Sequence, residues 1–359
     1  MSIQAVFSAD THISGHTWAS RSQIVGDSFF GFQQLCELAI ANRCPLFLAG
    51  DCWELLRDPN PTASAVEFVR RQLDAMQAVG AQLYYINGQH DNLQSPFWFE
   101  AIHPWPQHIG GRTVEVAGRK FFGVDYFEAG LIEQVSASVP ADTFCLVIHQ
   151  SWQEFTGSKI MSKLSLAQLP SVPLTISGDT HKFCAHQIDN RLFVSPGATH
   201  MRSMREPRDH YAVVLDSQKG LDQFKLKSRQ VLEYTVSDPL RWLDEIVQLA
   251  SSVDQSFGVM SHMMPLDVAK PILMVIDPFN CGAAAVIERE IPDAHVMSKV
   301  TGARELLTEA AEVRGASMNL LEILPVILEG KGLTTEQLDL IRVVVGDENI
   351  LQHLGVVSA

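Results

Sequence analysis

Gln82-Leu83-Tyr84-Tyr85-Ile86-Asn87-Gly88-Gln89-His90-Asp91 is the stretch on which the reading of this chain turns. Its first half is aromatic and aliphatic, the composition of a buried β-strand. Its second half changes abruptly to small, polar and ionisable residues, as a strand end that delivers side chains into a cleft would. The pattern recurs upstream. Ile3 to Phe7 runs into Ser8-Ala9-Asp10-Thr11-His12, and Pro45-Leu46-Phe47-Leu48 runs into Gly50-Asp51. Helical periodicity fills the intervals, over Phe29 to Ala41 and over Ala63 to Val79, where Val66, Val69, Leu73 and Met76 share one face. This β-loop-α-β-loop-α-β order favours a layered α/β domain with strands inside. Functional groups in such sheets collect at the carboxyl ends of strands.

Downstream the chain is richer in strands: Arg119 to Val124, Thr143 to Ile148, Leu174 to Ser177, Arg191 to Val194 and His210 to Leu215. His149 and Gly178-Asp179-Thr180-His181 follow two of them. A break near Lys225 to Arg229 ends this domain, expected to span 1–230. A compact α+β unit is expected over 231–300, with strands at Leu232 to Val236 and Pro271 to Ile276 and a helix over Leu240 to Ser251. The tail, 301–359, reads as short amphipathic helices. There Thr334-Thr335-Glu336-Gln337 is a capping box opening the helix Glu336 to Val345, and Gly346 stops it.

Composition narrows the function classes. At 359 residues, 46% of them hydrophobic, the chain is long enough for two or three well-buried domains. Six cysteines without a CxxC pair argue for reduced thiols in a cytoplasmic protein and against a cysteine zinc site. No stretch approaches the roughly 18 apolar residues of a membrane span, and no secretory leader is evident. The formal charge is −14, from 41 acidic and 27 basic residues, which is unfavourable for gripping nucleic acid unaided. Bound cations would neutralise part of it, and a partner could supply affinity. The clusters Lys219, Lys225, Lys227, Arg229 and Arg202, Arg205, Arg208 read as ordinary solvated faces.

Carboxylates and imidazoles delivered from separate strand ends are what a two-metal hydrolytic centre requires. Two cations about 3.5–4 Å apart can activate a water and hold both oxygens of an in-line phosphoryl displacement. Asp51 is the candidate bridge. Asp10, His12 and His181 would complete one metal, and Gln89, His149 and Asp179 the other. Mixed oxygen and imidazole ligation suits manganese best, with iron or magnesium as alternatives, and suits calcium or structural zinc less well. His90 would donate a proton to the leaving oxygen or stabilise charge on the phosphate. Asp91 would orient His90 or cap the loop. The other histidines read as structural or surface groups, with His16 and His200 nearest to functional segments.

The ordered set resembles the calcineurin-like metallophosphoesterase superfamily, whose motifs run D-x-H, G-D, G-N-H-D/E, a lone H and G-H-x-H. The resemblance covers roughly the first 215 residues. Within that superfamily the chain is similar to the SbcD-type DNA double-strand-break repair nucleases, including phage exonuclease subunits. Gly50-Asp51-Cys52-Trp53-Glu54, Ile148-His149-Gln150 with Glu154, and Ser195-Pro196-Gly197-Ala198 followed by Glu206 carry that similarity. It implies a four-layer αββα sandwich, an α+β capping domain that contacts DNA, and terminal helices that bind an SbcC-like SMC-type ATPase. It also implies a homodimer acting as exonuclease or endonuclease in DNA repair and recombination. Two positions depart from the motifs: Gln89 stands for asparagine and Asp179 for the first histidine of G-H-x-H. The competing expectations are a phosphodiesterase or phosphatase for small molecules or phosphoproteins, and a non-catalytic scaffold subunit.

Overall fold

The structure is a computed structural model that describes residues 3–15, 18, 24–91, 98–158, 162–236, 270–277, 283–292 and 294–299. The helix expected over Leu240 to Ser251, the C-terminal segment 301–359 and His16 lie outside the described residues. The chain divides into two compact units, one of residues 1–230 with 254–271, the other of residues 231–253 with 272–359.

Among its described residues the first unit contains twelve strands in chain order: β1 (Ile3–Ser8), β2 (Leu46–Ala49), β3 (Leu83–Ile86), β4 (Gln107–His108), β5 (Thr113–Val116), β6 (Arg119–Val124), β7 (Cys145–His149), β8 (Leu174–Gly178), β9 (Cys184–Ile188), β10 (Arg191–Ser195), β11 (His210–Asp216) and β12 (Gly220–Leu226). They form two six-stranded sheets, ordered β12-β11-β1-β2-β3-β4 and β5-β6-β7-β8-β10-β9. The central strands of each run parallel, β1 to β4 in one and β6, β7, β8, β10 in the other. Parallel strands need both faces covered, which is why the sequence shows apolar runs there rather than alternation.

Period-two side-chain direction sorts those runs into three layers of contact. Phe7, Phe47, Ala49 and Ile86 face inward and meet Phe121, Cys145, Val147 and Ile176 of the other sheet. Val6, Leu46, Leu48, Leu83 and Tyr85 face outward against α1 (Asp27–Asn42) and α2 (Ala63–Ala78), through Phe29, Phe32, Leu35, Phe68 and Leu73. Phe122, Leu146 and Ile148 of the second sheet turn the opposite way, under Ile132, Leu166 and Leu169. The result is helix, sheet, sheet, helix: the αββα sandwich expected. α2 begins where Thr62 Oγ1 accepts the Ala65 amide at 3.2 Å, satisfying a helix-start donor that would otherwise be orphaned. Stacked Phe7, Phe47 and Phe121, with Phe47 ring centroids 5.3 and 4.8 Å from the other two, fill the gap between sheets.

The second unit has strands β13 (Val231–Thr235), β14 (Ile272–Ile276) and β15 (His295–Lys299), with helix Ala283–Glu290 between the last two. The three described strands run parallel, β13 against β14 and β14 against β15. Its apolar centre is Val236, Leu273, Val275, Ala283 and Ile287. Among the described residues no helix is long and apolar enough to cross a membrane.

Phe47 is fully buried between the sheets, so Phe47→Ala should cost about 3–5 kcal/mol of stability. Chemical denaturation of the purified protein, read by tryptophan fluorescence, checks this.

Candidate metal centre

The loops that leave the parallel strands run side by side. The amides of Asp10, His12 and Ile13 donate to the carbonyls of Gly50, Asp51 and Cys52 at 3.1, 2.9 and 2.8 Å. Asp10, His12, Asp51, Asp179 and His181 all have positive φ, between 38° and 83°. Such left-handed backbone costs an ordinary residue about 1–2 kcal/mol, and it persists here at the strand ends where the ionisable side chains converge. In both Asp-x-His turns the first and third residues adopt it.

His149 sits in a box of backbone. A Cβ added at Gly50, Gly88 or Gly178 would collide with its ring, and at Gly88 also with Asp51 Oδ1. The glycines of three separate motifs therefore serve one purpose, close approach of three loops around one imidazole.

The imidazole tautomers follow from their partners. His149 Nδ1 donates to the Ala49 carbonyl at 2.7 Å. His181 Nδ1 donates to Glu206 Oε1 at 2.9 Å. His12 Nδ1 lies 3.2 Å from Glu54 Oε2, which can hold its proton. Each ring then presents Nε2 to the centre, the arrangement by which a carboxylate or carbonyl orients a metal-binding histidine. His12 Nε2 and His181 Nε2 face each other at 3.2 Å. Asp51 stands between the histidines, Oδ2 at 3.6 Å from His12 Nε2 and Oδ1 at 3.5 Å from His149 Nε2.

The electrostatics follow from burial and from the charges packed around each group. Burial pushes the Asp10 carboxyl up to about 6 against the pull of His181 and His149. Burial pushes His12 down to about 4, so its ring is neutral and able to donate a lone pair near pH 7. Burial would raise Asp51, yet His149, His12 and His90 around it hold it well below the usual carboxylate range. Burial would likewise lower His149, but Asp51 beside it carries the ring up to about 10.

Asp10, His12, Asp51 and His181 gather with their donor atoms within 4.8 Å of one another, the set expected for one metal. The set expected for the other is looser. Gln89 Nε2 donates to Asp179 Oδ1 at 2.5 Å, and His149 joins the group through Asp51. Asp51 Oδ2, Gln89 Oε1 and His149 Nε2 are buried without a protein partner, three of the seven expected ligands. Unpaired buried polar atoms are costly, and a cation between them would relieve that cost. The donor set therefore fits divalent cations.

His90 presents Nε2 at 4.0 Å from Asp51 Oδ2, while its amide donates to Asp51 Oδ1 at 2.8 Å. Its Nδ1 contacts Glu54 Oε1 at 2.7 Å, so Glu54 and not Asp91 orients this ring. Asp91 is corrected to a structural role. Its carboxylate accepts the amides of Trp53 and Gly88, both at 2.7 Å, and burial pushes it up to about 7. Glu154 is also a loop fastener, accepting from Ser165 Oγ and the Leu166 amide. His200 is buried beside Thr199, away from solvent.

Arg202 was expected on a solvated face and lies instead inside the site. Its Nη1 donates to Glu54 Oε2 at 2.9 Å and approaches His12 Nδ1 at 3.0 Å, and its amide donates to Glu206 Oε2 at 2.6 Å. Its guanidinium and backbone thus tie together the two carboxylates that orient His90, His12 and His181. Periodicity could not reveal this, because Arg202 follows no strand. Glu54 had a signal, three residues after Asp51 on the same turn.

No known family profile and no curated protein matches the chain. Solved structures do resemble it. An archaeal phosphodiesterase is 13% identical, with a TM-score of 0.35, covering 62% of this chain and 99% of its own. A conserved predicted phosphoesterase from Streptococcus pneumoniae is 13% identical, with a TM-score of 0.29, covering 63% and 99%. The phosphopantetheinyl hydrolase of Mycobacterium tuberculosis is 11% identical, with a TM-score of 0.32, covering 55% and 91%.

Asp91→Ala should lose about 2–3 kcal/mol of stability by leaving two buried amides without acceptors. His90→Ala, whose ring is partly exposed and whose loss leaves Glu54 still held by Arg202, should lose less, about 1 kcal/mol. Urea denaturation of both variants checks the contrast. Mn2+ at a hundredfold excess over its Kd should stabilise the wild-type protein by about 2.7 kcal/mol. The same titration by differential scanning calorimetry should show no such gain for Asp51→Asn.

Proposed function

We propose that this chain is a metal-dependent phosphoesterase whose substrate is the phosphodiester backbone of DNA, acting as the nuclease subunit beside an SbcC-like SMC-type ATPase. The convergence of Asp10, His12, Asp51 and His181 on a centre that leaves Asp51 Oδ2 and His149 Nε2 buried and unpartnered carries this reading. Asp10, His12, Asp51 and His181 would hold one cation, and Asp51, Gln89, His149 and Asp179 the other, with manganese the best match. When bound, the cations supply Lewis-acid charge and an activated water at neutral pH.

The chain's own contribution is orientation and proton delivery. His90, with Nδ1 fixed on Glu54, turns Nε2 toward the centre, where it protonates the departing sugar oxygen. Glu54 is itself held by Arg202, which keeps its second oxygen from rotating away. Burial of Asp10, His12, Asp51 and His149 excludes water from the floor of the site and strengthens each charge interaction there. Recruitment of duplex DNA by an acidic chain is the task assigned to the homodimer and its ATPase partner.

A second reading is a phosphodiesterase for small molecules. The net charge of −14 favours it.

Incubation with linear duplex DNA and Mn2+, with and without the ATPase, separates the readings. DNA cleavage that the ATPase enhances supports the first. Rapid turnover of a nucleotide diester with no DNA cleavage supports the second. Asp51→Asn should remove cleavage beyond about a thousandfold, and near-normal activity in that variant would sink both readings. His90→Ala should lower kcat by about 10²–10⁴ and leave Mn2+ affinity close to wild type.

A further inference from the structure

Gln89 and Asp179 come from turns after different strands, 90 residues apart, and meet at the centre. The amide N–H of Gln89 is used on Asp179 Oδ1 at 2.5 Å, and its carbonyl oxygen is left buried without a partner. The contact fixes which end of the amide faces the centre. Rotating it would set Gln89 Oε1 against a carboxylate oxygen, lone pair to lone pair. Asp179 is itself anchored, because its amide donates to Asp10 Oδ1 at 3.0 Å.

The two expected cation positions consequently offer different donors. Around Asp10 and Asp51 stand two imidazoles, His12 and His181. The set expected for the other position, Gln89, Asp179 and the shared Asp51, includes a single imidazole, His149, which lies 3.5 Å from Asp51. One position is half nitrogen, and the other is three-quarters oxygen. Carboxylate and amide oxygens favour hard cations, and imidazole favours zinc and its neighbours.

We propose that the two cation positions are chemically unequal, and that Gln89 and Asp179 act as a coupled pair making the second position selective for Mg2+ or Mn2+ over Zn2+. This rests on the two-cation reading of the site. Asp179 serves twice, as an oxygen donor and as the positioning residue that turns the Gln89 carbonyl inward. Changing either partner alone disturbs both functions, so the two substitutions are not independent.

The test is calorimetric titration of the wild type, Gln89→Asn, Asp179→Asn, Asp179→His and the double variant Q89N/D179H with Mg2+, Mn2+ and Zn2+. Cation-free melting temperatures verify folding, and the near-isosteric Asp179→Asn covers the case in which Asp179→His fails to fold. Wild type should take up two Mn2+. Asp179→Asn should weaken the second Mg2+ or Mn2+ equivalent by about tenfold or more with no gain for Zn2+, since it removes charge but keeps an oxygen. Asp179→His should weaken Mg2+ similarly and strengthen Zn2+, and the double variant should lose less than the product of its singles. A second equivalent whose Mg2+ to Zn2+ ratio is unmoved by Asp179→His, or whose Mg2+ affinity is unmoved by Asp179→Asn, overturns the inference, as do strictly multiplicative effects. Wild-type protein that takes up fewer than two Mn2+ defeats the two-cation reading, and this inference with it.

Discussion

Asp51 is a fully buried carboxylate with no lysine or arginine salt bridge among the described residues, and the rest of the site is arranged around that fact. Burying such a charge costs several kcal/mol unless it is paired and hydrogen-bonded. One of its oxygens receives the His90 amide, and three imidazoles stand within 4.0 Å of the carboxylate. Those imidazoles reach it only because β1, β2, β3 and β7 bring their ends together and because glycine backbone lets the loops close on His149. The carboxylate, the glycines and the histidines form one construction problem with one solution.

The sheets set its dimensions. Aromatic side chains stacked between them hold the two sets of parallel strands at a fixed spacing, so loops from opposite sheets meet at their carboxyl ends. Beyond that layer a second network takes over. Glu54 fastens His90 and approaches His12, Glu206 fastens His181, and Arg202 binds both carboxylates. His90, His12 and His181 thereby share one set of supports. Disturbing Arg202 would reach all three.

The parts of this protein legible in its sequence are those where burial is two-sided. β1, β2, β3, β7 and β8 read correctly because both faces are covered and the residues are continuously apolar. β9, with Ala185-His186-Gln187 exposed, and β12, with Asp222-Gln223-Phe224-Lys225 exposed, carry polar edge residues and gave no such signal. The ligand candidates were legible because chemistry restricts their residue types at strand ends. The role of Asp91 stayed open between orienting the ring and capping the loop, because a carboxylate beside a histidine has the same appearance whether it faces the ring or the backbone. Arg202 was missed because its partners, Glu54 and Glu206, are assembled by tertiary folding alone.

The pairing of β1 with β11 has a bearing on biosynthesis. Strand β1 lies between β2 and β11, so one of its edges stays open until residues near 210 have been made. His181, Arg202 and Glu206 also belong to that late stretch. Contacts so distant along the chain form slowly and late, after the local ones. A nascent chain therefore carries Asp10, His12 and Asp51 long before His181 can join them. The buried cluster is complete only once the sheet has closed around it.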